Sequence, residues 1–396
     1  MTRALQDVRV IDLTQALSGP FCTQQLALMG AEVIRIEPPW GGYGATVFGG
    51  HAKDFQRRLH GVVFRNKKNI TLNLRHEKGK EIFFELVRKG DVVVQNFSPG
   101  TMEKLGLGYD ILKEINPRII YCAISGFGQT GPWRNRIAYD VITQATCGLM
   151  SINGYPDRPP VRVGTSISDI LGGIFGTLGI LYALHARNSI TGKGQMIDSS
   201  MFDATLSILH GEVARSLSGS EPFGRMGNRH PLAAPCGTYS TKDAKLEFIW
   251  CQTDAQWEAI MTLVARPDIL EKKWKLVERT EHWHEIDEMV EAWAKTKTQE
   301  EIEDILTEHN VPCGPVMDLV DVEKHPHTKA REMFVEVDDM YGRISGILGI
   351  VPKLSDTPGG SDWGLMERGA FNEEIYAGLL GFSEEKIKGL TEEGVI

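Results

Sequence analysis

Clustered cysteines, long apolar runs and blocks of basic residues are all missing from this sequence, and each absence excludes a class of protein. The six cysteines stand far apart, with no Cys-x-x-Cys pair and no cysteine or histidine cluster at zinc spacing. We therefore expect no metal site and predict buried free thiols. The formal net charge is −9 and the basic residues are scattered, which excludes a nucleic-acid-binding surface.

Targeting and membrane signals are equally scarce. The first residues contain no apolar signal-peptide core, and the longest apolar stretch, residues 170–184, contains four glycines and is predicted to be too short to span a bilayer. We expect a cytoplasmic protein without membrane contact. The 396 residues, 42% of them hydrophobic, are enough for two domains with a substantial core.

Short β-branched segments alternate with amphipathic segments through the first half of the chain. The predicted strands are residues 8–13, 32–36, 69–74, 92–97 and 118–123, and the predicted helices are 19–29, 77–89 and 110–114. This alternation predicts an α/β fold whose open, mostly parallel sheet carries helices on both faces. Ligands bind such sheets at the carboxyl ends of the strands, so the loops there are the first candidates for a site.

The second half of the chain has a different pattern. A Gly-, Pro-, Asn- and Ser-rich stretch, 216–235, predicts a linker to a smaller unit. In that unit we predict a strand at 246–251, followed by helices at 254–264, 284–295 and 299–309. Residues 311–316, Val-Pro-Cys-Gly-Pro-Val, predict a second break, and the tail 373–390 is predicted to be helical.

A glycine-rich motif, residues 126–131, matches the Gly-x-Gly-x-x-Gly dinucleotide fingerprint and follows a predicted strand. That fingerprint needs a helix beginning at its last glycine, so that the helix N-terminus meets the pyrophosphate. Here Pro132 follows at once and the sequence continues as a loop. The pattern therefore argues against nicotinamide binding.

Asp169 immediately precedes the uncharged stretch 170–184. A carboxylate there is either a plain helix N-cap or a nucleophile whose anion the helix terminus stabilises. In the second interpretation Gly164, Gly172 and Gly173 leave room for a bulky acyl group. The residues alone leave both interpretations open.

Two further groups could contribute to a site. Tyr139 and Asp140, with Gln144, open a predicted helix and either orient a substrate or only cap and pack. Basic residues in or just beyond the strand-end loops could hold phosphates or could be solvated surface: Lys67, Lys68, Arg75, Lys104, Arg134 and Arg136. His230 is a weaker candidate for a substrate loop.

Motifs along nearly the whole chain resemble those of the family III CoA-transferases, the group that includes formyl-CoA and carnitine CoA-transferases. They lie at residues 8–14, 18–20, 30–37, 66–73, 95–100, 125–132, 138–140, 192–195, 227–231 and 311–316. The resemblance implies that Asp169 is the catalytic nucleophile and that no cofactor is tightly bound, since CoA and acyl-CoA are substrates. It also implies a set of CoA contacts: Leu17, Ser18, Leu72, Asn73, Leu74, Arg75, Asn96, Phe97, Ser98, Lys104, Ile137, Ala138, Tyr139 and Asp140.

The same resemblance implies an architecture. It predicts a Rossmann-like large domain with a mostly parallel sheet (1–215 and 325–396) and a smaller α+β domain (225–320). Linkers at 216–224 and 321–324 join them. Ring-shaped monomers interlock as a homodimer, and the partners are an acyl-CoA and a carboxylic acid. Residues 152–160 and 221–235 are candidates for the acyl pocket.

Some residues depart from the family pattern. Pro38 and Pro39 stand where some relatives place an arginine near the adenosine phosphates, Leu17 replaces a polar residue, and Phe371 replaces a frequent histidine. These differences favour a carboxylate larger than formate or oxalate. An acyl-CoA racemase is a rival prediction, although Tyr139 stands where such enzymes use histidine. A non-catalytic CoA-binding protein is another.

Overall fold

A computed structural model gives the architecture and describes residues 2–41, 53–221 and 223–396, with the side chains of 53–57 also outside the description. The chain forms two compact units. The large unit comprises Met1–Leu149, Arg162–His210 and Lys329–Ile396, and the small unit Met150–Val161 and Gly211–Thr328. The predicted domain limits stay predictions. Segment 150–161 groups with the small unit, and Pro222, within the predicted linker, lies outside the described residues.

Six parallel strands form the centre of the large unit, in the order β3-β2-β1-β4-β5-β6. They are β1 (Arg9–Asp12), β2 (Glu32–Glu37), β3 (Lys68–Thr71), β4 (Val92–Gln95), β5 (Ile120–Ser125) and β6 (Met196–Ser200). The predicted α/β class is confirmed. The chain direction across the sheet reverses between β1 and β4, and ligands of such sheets bind in the crevice beyond the carboxyl ends at that point.

Helices cover both faces of the sheet because alternate strand residues are apolar on both sides. On one face Ile11 and Val93 pack against Phe83, and on the other Val10 and Val92 pack in the cluster that contains Leu26 and Ile180. The helices before and after the strands are α1 (Ser18–Leu28), α2 (Lys53–Phe64), α3 (Glu77–Lys89), α4 (Thr101–Lys104), α5 (Tyr109–Ile115), α6 (Asp140–Thr146), α7 (Leu149–Ile152), α8 (Ile167–Ala186) and α9 (Met201–Ser207).

Helix α8 is longer than the sequence pattern predicted. With a π-helical turn at Arg187–Thr191 it forms 25 helical residues, of which an 18-residue stretch has a mean hydropathy of 1.7, so the helix could cross a membrane by length and composition alone. The prediction that this stretch is too short is therefore wrong. In the large unit α8 packs against α1 and β5, since a Cβ at Gly173 would lie only 2.7 Å from Ser18 O and one at Gly176 would lie 3.0 Å from the Ile124 side chain. This packing is that of a core helix.

The small unit is built on an antiparallel sheet of three strands, β7 (Cys236–Ser240), β8 (Leu246–Trp250) and β9 (Cys313–Pro315), in that order. Its helices are α10 (His210–Leu217), α11 (Asp254–Leu263), α12 (Pro267–Glu271), α13 (Leu276–Glu281), α14 (Trp283–Ala294), α15 (Gln299–Glu308), α16 (Leu319–Lys324) and α17 (Pro326–Ala330). The prediction of a break at 311–316 is wrong. A proline is tolerated in β9 because β9 is an edge strand.

The chain returns to the large unit as a hairpin, β10 (Phe334–Asp339) and β11 (Gly342–Leu348), and ends in α18 (Glu384–Glu392). The tail predicted to be helical contains two helical segments with a break between them. A π-helical turn at Glu374–Leu379 ends before Gly381, which has φ +73°, and α18 begins anew where the Ser383 side chain accepts a hydrogen bond from Lys386 N.

Candidate active site

A buried ion pair lies beneath the loop that joins β1 to α1. Asp12 Oδ2 accepts hydrogen bonds from Lys67 Nζ (3.0 Å) and Thr23 Oγ1 (2.7 Å), and Oδ1 accepts from Thr14 N (2.8 Å). Lys67 also donates to Pro20 O at 2.9 Å, and burial lowers its pKa to about 8. Since Lys67 is fully buried and engaged, the interpretation of Lys67 as a phosphate ligand is wrong. The pair instead fixes the start of α1.

The other basic candidates are partly engaged as well. Lys68 begins β3 and pairs with Glu32 (2.7 Å) and Glu374 (2.6 Å). Arg136 stacks on the Trp133 ring, 4.5 Å from its centroid, in the loop after β5. Arg75 and Lys104 are exposed on the loop after β3 and on α4.

The β1–α1 loop has a strained backbone that a side chain holds in place. Ala16 has φ +61°, the left-handed region that a non-glycine residue rarely occupies. Asn96, just after β4, accepts a hydrogen bond from Gln15 N at 2.8 Å and donates to Gln15 O at 2.7 Å. Asn96 therefore holds the loop that precedes Leu17 and Ser18, and its predicted contact with CoA stays a prediction.

Asp169 lies in the first turn of α8, but it is not the cap of that helix. The carboxylate of Asp140 takes that role, because its Oδ1 accepts a hydrogen bond from Ser168 N at 2.8 Å. Gln144 Nε2 donates to the other Asp140 oxygen at 2.6 Å, and Gln144 Oε1 accepts from Val163 N at 2.9 Å. Within the described ranges the Asp169 carboxylate has no hydrogen-bond donor. The N-cap interpretation of Asp169 is therefore wrong.

The environment of Asp169 favours its neutral form more than that of an ordinary aspartate. Burial, and then the negative charge of Asp140, raise the pKa of Asp169 to about 7. The expectation that the helix terminus would stabilise the anion is outweighed by these two effects. The result is a half-buried carboxylate, unpaired within the described residues, with a pKa raised to about 7. A strongly shifted pKa in an accessible group marks a candidate functional residue.

The glycines beside Asp169 serve packing. A Cβ at Gly172 would lie 3.0 Å from Ser18 Oγ, and one at Gly173 would lie 2.7 Å from Ser18 O. These two glycines let α8 and α1 touch, so the expectation that they leave room for an acyl group is wrong. At Gly164 a Cβ would meet open space. Ser18 itself is buried and its hydroxyl has no partner in the described part of the chain.

The loop from β5 to α6 contains the glycine-rich motif and ends beside Asp169. A Cβ at Gly126 would lie 2.2 Å from Ala138 Cβ, so the first glycine of the motif admits a backbone contact. No helix begins at Gly131, and α6 starts only at Asp140. Tyr139, at the N-cap position of α6, is 66% exposed. Asp140 is buried and caps α8, so it has a structural role, and its predicted contact with CoA stays a prediction.

A cavity of about 380 Å³ opens at the carboxyl ends of β1 to β4. It brings together Leu72–Arg75 and Phe97, five of the predicted CoA contacts. The other predicted contacts lie outside its lining: Leu17, Ser18, Asn96, Ser98, Lys104, Ile137, Ala138, Tyr139 and Asp140. The sequence analysis missed seven lining residues, although strand-end position was the available signal: Leu13, Gln15, Ile36, Pro38, Trp40, Thr101 and Leu105.

Comparison with known proteins identifies the family. The sequence profile of CoA-transferase family III matches residues 5–365. The chain belongs to CoA-transferase family III. It is a transferase, and members of the family use CoA thioesters as substrates. Its predicted free thiols are confirmed, with five buried and Cys313 half-buried. Among the described residues no group of His, Cys, Asp and Glu side chains could hold a metal ion.

Relatives of known activity span the whole chain. It is 36% identical over 397 residues to the succinyl-CoA–D-citramalate CoA-transferase of Chloroflexus aurantiacus, covering 100% of this chain and 98% of the relative. It is 42% identical over 332 residues to the acetyl-CoA:oxalate CoA-transferase of Acetobacter aceti, covering 83% and 84%. The crystal structure of a CAIB/BAIF family protein from Brucella suis superposes with a TM-score of 0.84 at 32% identity, covering 96% and 100%.

Proposed function

We propose that this CoA-transferase moves CoA from an acyl-CoA donor to a carboxylic acid through the side chain of Asp169. The Asp169 carboxylate attacks the donor thioester, forming a mixed anhydride and releasing the CoA thiolate. The thiolate then attacks the Asp169 carbonyl, giving an aspartyl-CoA thioester and the free donor acid. The acceptor carboxylate attacks that thioester, and the returning thiolate attacks the acceptor acyl carbon of the new anhydride. The products are acceptor acyl-CoA and regenerated Asp169.

The state of the Asp169 carboxylate is the observation that carries this proposal. It is unpaired in the described structure, only half-buried, and its pKa is raised to about 7. A carboxylate needs no base to remove a proton before it attacks, so a histidine partner is unnecessary. The tight α1–α8 packing and the Asp140 cap fix the first turn of α8, which carries Asp169, and this supports catalysis by proximity to the bound thioester.

The choice of acids follows from the relatives. Their names pair succinyl-CoA or acetyl-CoA with citramalate or oxalate, and other relatives use malate or mesaconate. Succinyl-CoA and acetyl-CoA are therefore the first donors to test, and small dicarboxylic and hydroxy acids the first acceptors. The expectation of an acceptor larger than oxalate stays a prediction that the same panel examines.

A donor and acceptor screen read by mass spectrometry tests the proposal. We expect the wild-type protein to convert at least one pair, and Asp169→Ala to convert none while keeping its circular dichroism spectrum. Hydroxylamine added to the wild-type protein with acyl-CoA should convert Asp169 to a hydroxamate, detectable by peptide mass. Transfer at the wild-type rate by Asp169→Ala, or no modification at Asp169, would contradict the mechanism.

The assembly and location are part of the same proposal. The outer side of α8 exposes Ile174, Phe175, Leu181 and Tyr182, and an apolar face of this kind supports burial in an interlocked homodimer. We expect light scattering to give twice the 44.0 kDa chain mass. We place the protein in the cytoplasm, without a membrane or nucleic-acid partner, and cell fractionation would test that placement.

A further inference from the structure

An exposed tryptophan forms one wall of the cavity at the carboxyl ends of β1 to β4. Trp40 follows β2 and is 63% exposed, which is unusual for so large an apolar side chain. The walls near it are aliphatic and aromatic, supplied by Ile36, Leu72, Phe97 and Leu105. Arg75 is the one cation among the described lining residues. An apolar cavity lined by aromatic side chains and one cation suits a planar heterocycle that carries phosphates.

The backbone that carries Trp40 is held in one conformation. Two consecutive prolines precede it, and proline restricts φ. Gly41 N donates to Pro38 O at 3.0 Å, which closes a turn around Trp40, and Arg368 Nη1 donates to Pro39 O at 3.2 Å. The backbone that carries the indole is therefore preorganised. A ligand that stacks on Trp40 has to order little of the backbone, which keeps the entropic cost of binding small.

The position of the cavity relative to Asp169 decides which part of a CoA thioester reaches it. Asp169 begins α8, which packs against β5, whereas Trp40 follows β2. The order β2-β1-β4-β5 separates these strands by three spacings, which is about 14 Å at 4.7–4.9 Å per spacing. When the thioester lies at Asp169, the pantetheine arm must cross this distance, and the nucleotide end of CoA arrives at the cavity.

We propose that Trp40 binds the adenine base of CoA by stacking, with Arg75 facing the phosphates. This inference rests on the proposed function, because it takes CoA as the substrate. It also explains how the chain holds the nucleotide with Pro38 and Pro39 in place of the arginine of some relatives. Base stacking on an aromatic side chain is strong, and its loss weakens binding by about 5- to 100-fold.

Titration calorimetry with three probes tests the proposal: CoA, adenosine 3′,5′-bisphosphate and pantetheine. We expect Trp40→Ala to weaken binding of the first two by about 5- to 100-fold and to leave pantetheine unchanged. Trp40→Phe should retain binding within about threefold of wild type, because its ring still stacks. Tyr341→Ala is the matched control, since Tyr341 lies on the β10–β11 hairpin and is 64% exposed.

A spectroscopic measurement separates stacking from a structural role. Adenosine 3′,5′-bisphosphate should quench part of the tryptophan emission of the wild-type protein, and that part should vanish in Trp40→Phe. Wild-type affinity in Trp40→Ala, equal weakening of all three probes, or full quenching in Trp40→Phe would overturn the stacking proposal alone. Absence of CoA binding by the wild-type protein would overturn the proposed function together with it.

Discussion

Two carboxylates with the same pKa lie in the two units of this protein, and they differ in access. Burial and the charge of Asp140 raise the pKa of Asp169 to about 7 in the large unit. Burial and then Glu303 raise the pKa of Glu247 to about 7 in the small unit. Asp169 is half-buried at the open end of a helix, whereas Glu247 is 0% exposed in β8.

The comparison shows what a raised pKa can and cannot indicate. No nitrogen or hydroxyl group among the described residues donates a hydrogen bond to the carboxyl oxygens of Glu247, and the Cys313 thiol beside it lowers its pKa less than burial raises it. The carboxyl group of Glu247 is therefore stable in the fold mainly as the neutral acid. No substrate can approach a side chain without exposed surface. A shifted pKa therefore marks a functional group only where the group can also be reached, and Asp169 alone of the two meets both conditions.

The largest effect is expected from Asp169→Ala. We expect the transfer rate to fall at least about 10⁴-fold, because no intermediate can form without the nucleophile. The free energy of unfolding at pH 8 should be equal or higher, since the native state no longer contains a carboxylate that resists ionisation. Stopped assays and urea denaturation measure the two quantities. A large loss of stability would show that Asp169 is structural, as its alternative interpretation required.

Glu247→Gln should change the stability of the protein and leave its transfer rate unchanged. The pKa of Glu247 is raised from 4.5 to about 7, so the native state keeps a proton that the unfolded state loses above about 4.5. Its contribution to stability is therefore lost as pH rises from about 4.5 to about 7. At pH 8 the variant should be more stable by about 1–3 kcal/mol, with little difference at pH 4.

Urea denaturation at pH 4, 6 and 8 measures this effect. Glu271→Gln, an exposed glutamate of the same unit, is the control and should change nothing. The transfer rate of Glu247→Gln should equal that of the wild type, and a rate reduced more than about tenfold would mean that Glu247 takes part in function.

Asp140→Asn tests how the charge of Asp140 acts on Asp169, the proposed nucleophile. The amide oxygen can still accept the Ser168 N–H bond, but the negative charge is lost, and the amide nitrogen that replaces Oδ2 can no longer accept the hydrogen bond of Gln144 Nε2. The pKa of Asp169 should fall, because Asp140 contributes to raising it. In the wild type, kcat/KM should rise with pH through about 7 as Asp169 ionises, and in the variant this rise should move to lower pH. A less basic carboxylate is a weaker nucleophile, so we expect kcat to fall about tenfold. If the pH dependence of kcat/KM were the same in the variant, the charge of Asp140 would not contribute to the pKa of Asp169.

The sequence predicted what local patterns determine. The β-branched segments specified the sheet, and a carboxylate before an uncharged stretch made Asp169 a candidate, which only the family resemblance favoured as a nucleophile over a helix cap. Long-range partners could not be read in this way. Asp140 caps a helix that begins 27 residues later, and Lys67 is buried against Asp12 by the pairing of distant segments. From the sequence alone, Asp140 and Lys67 could each be a surface residue or a site residue, because their partners are distant in the chain.

Glu247 was missed for a related reason. The strand that contains it is apolar on both faces, with Leu246, Phe248 and Trp250 on one side and Ile249 and Cys251 on the other. Alternation places Glu247 with Ile249, but no local feature tells which face is buried. The structure resolves this, since Glu247 and Ile249 are both almost fully buried.

The smallest effect is expected from Glu303→Gln, which is the counterpart for Glu247 of the Asp140→Asn substitution for Asp169. Glu303 raises the pKa of Glu247 as Asp140 raises that of Asp169. Removing its charge should move the pH range in which the small unit loses stability to lower pH, with a change in unfolding free energy of less than about 1 kcal/mol at pH 7. The pH dependence of kcat/KM should stay unchanged, because Glu303 does not contribute to the pKa of Asp169. Like-charge neighbours then perturb both carboxylates in the same way, and only the accessible one reports that change in catalysis. A shift of the kinetic profile in Glu303→Gln would instead mean that the small unit sets the ionisation of the site.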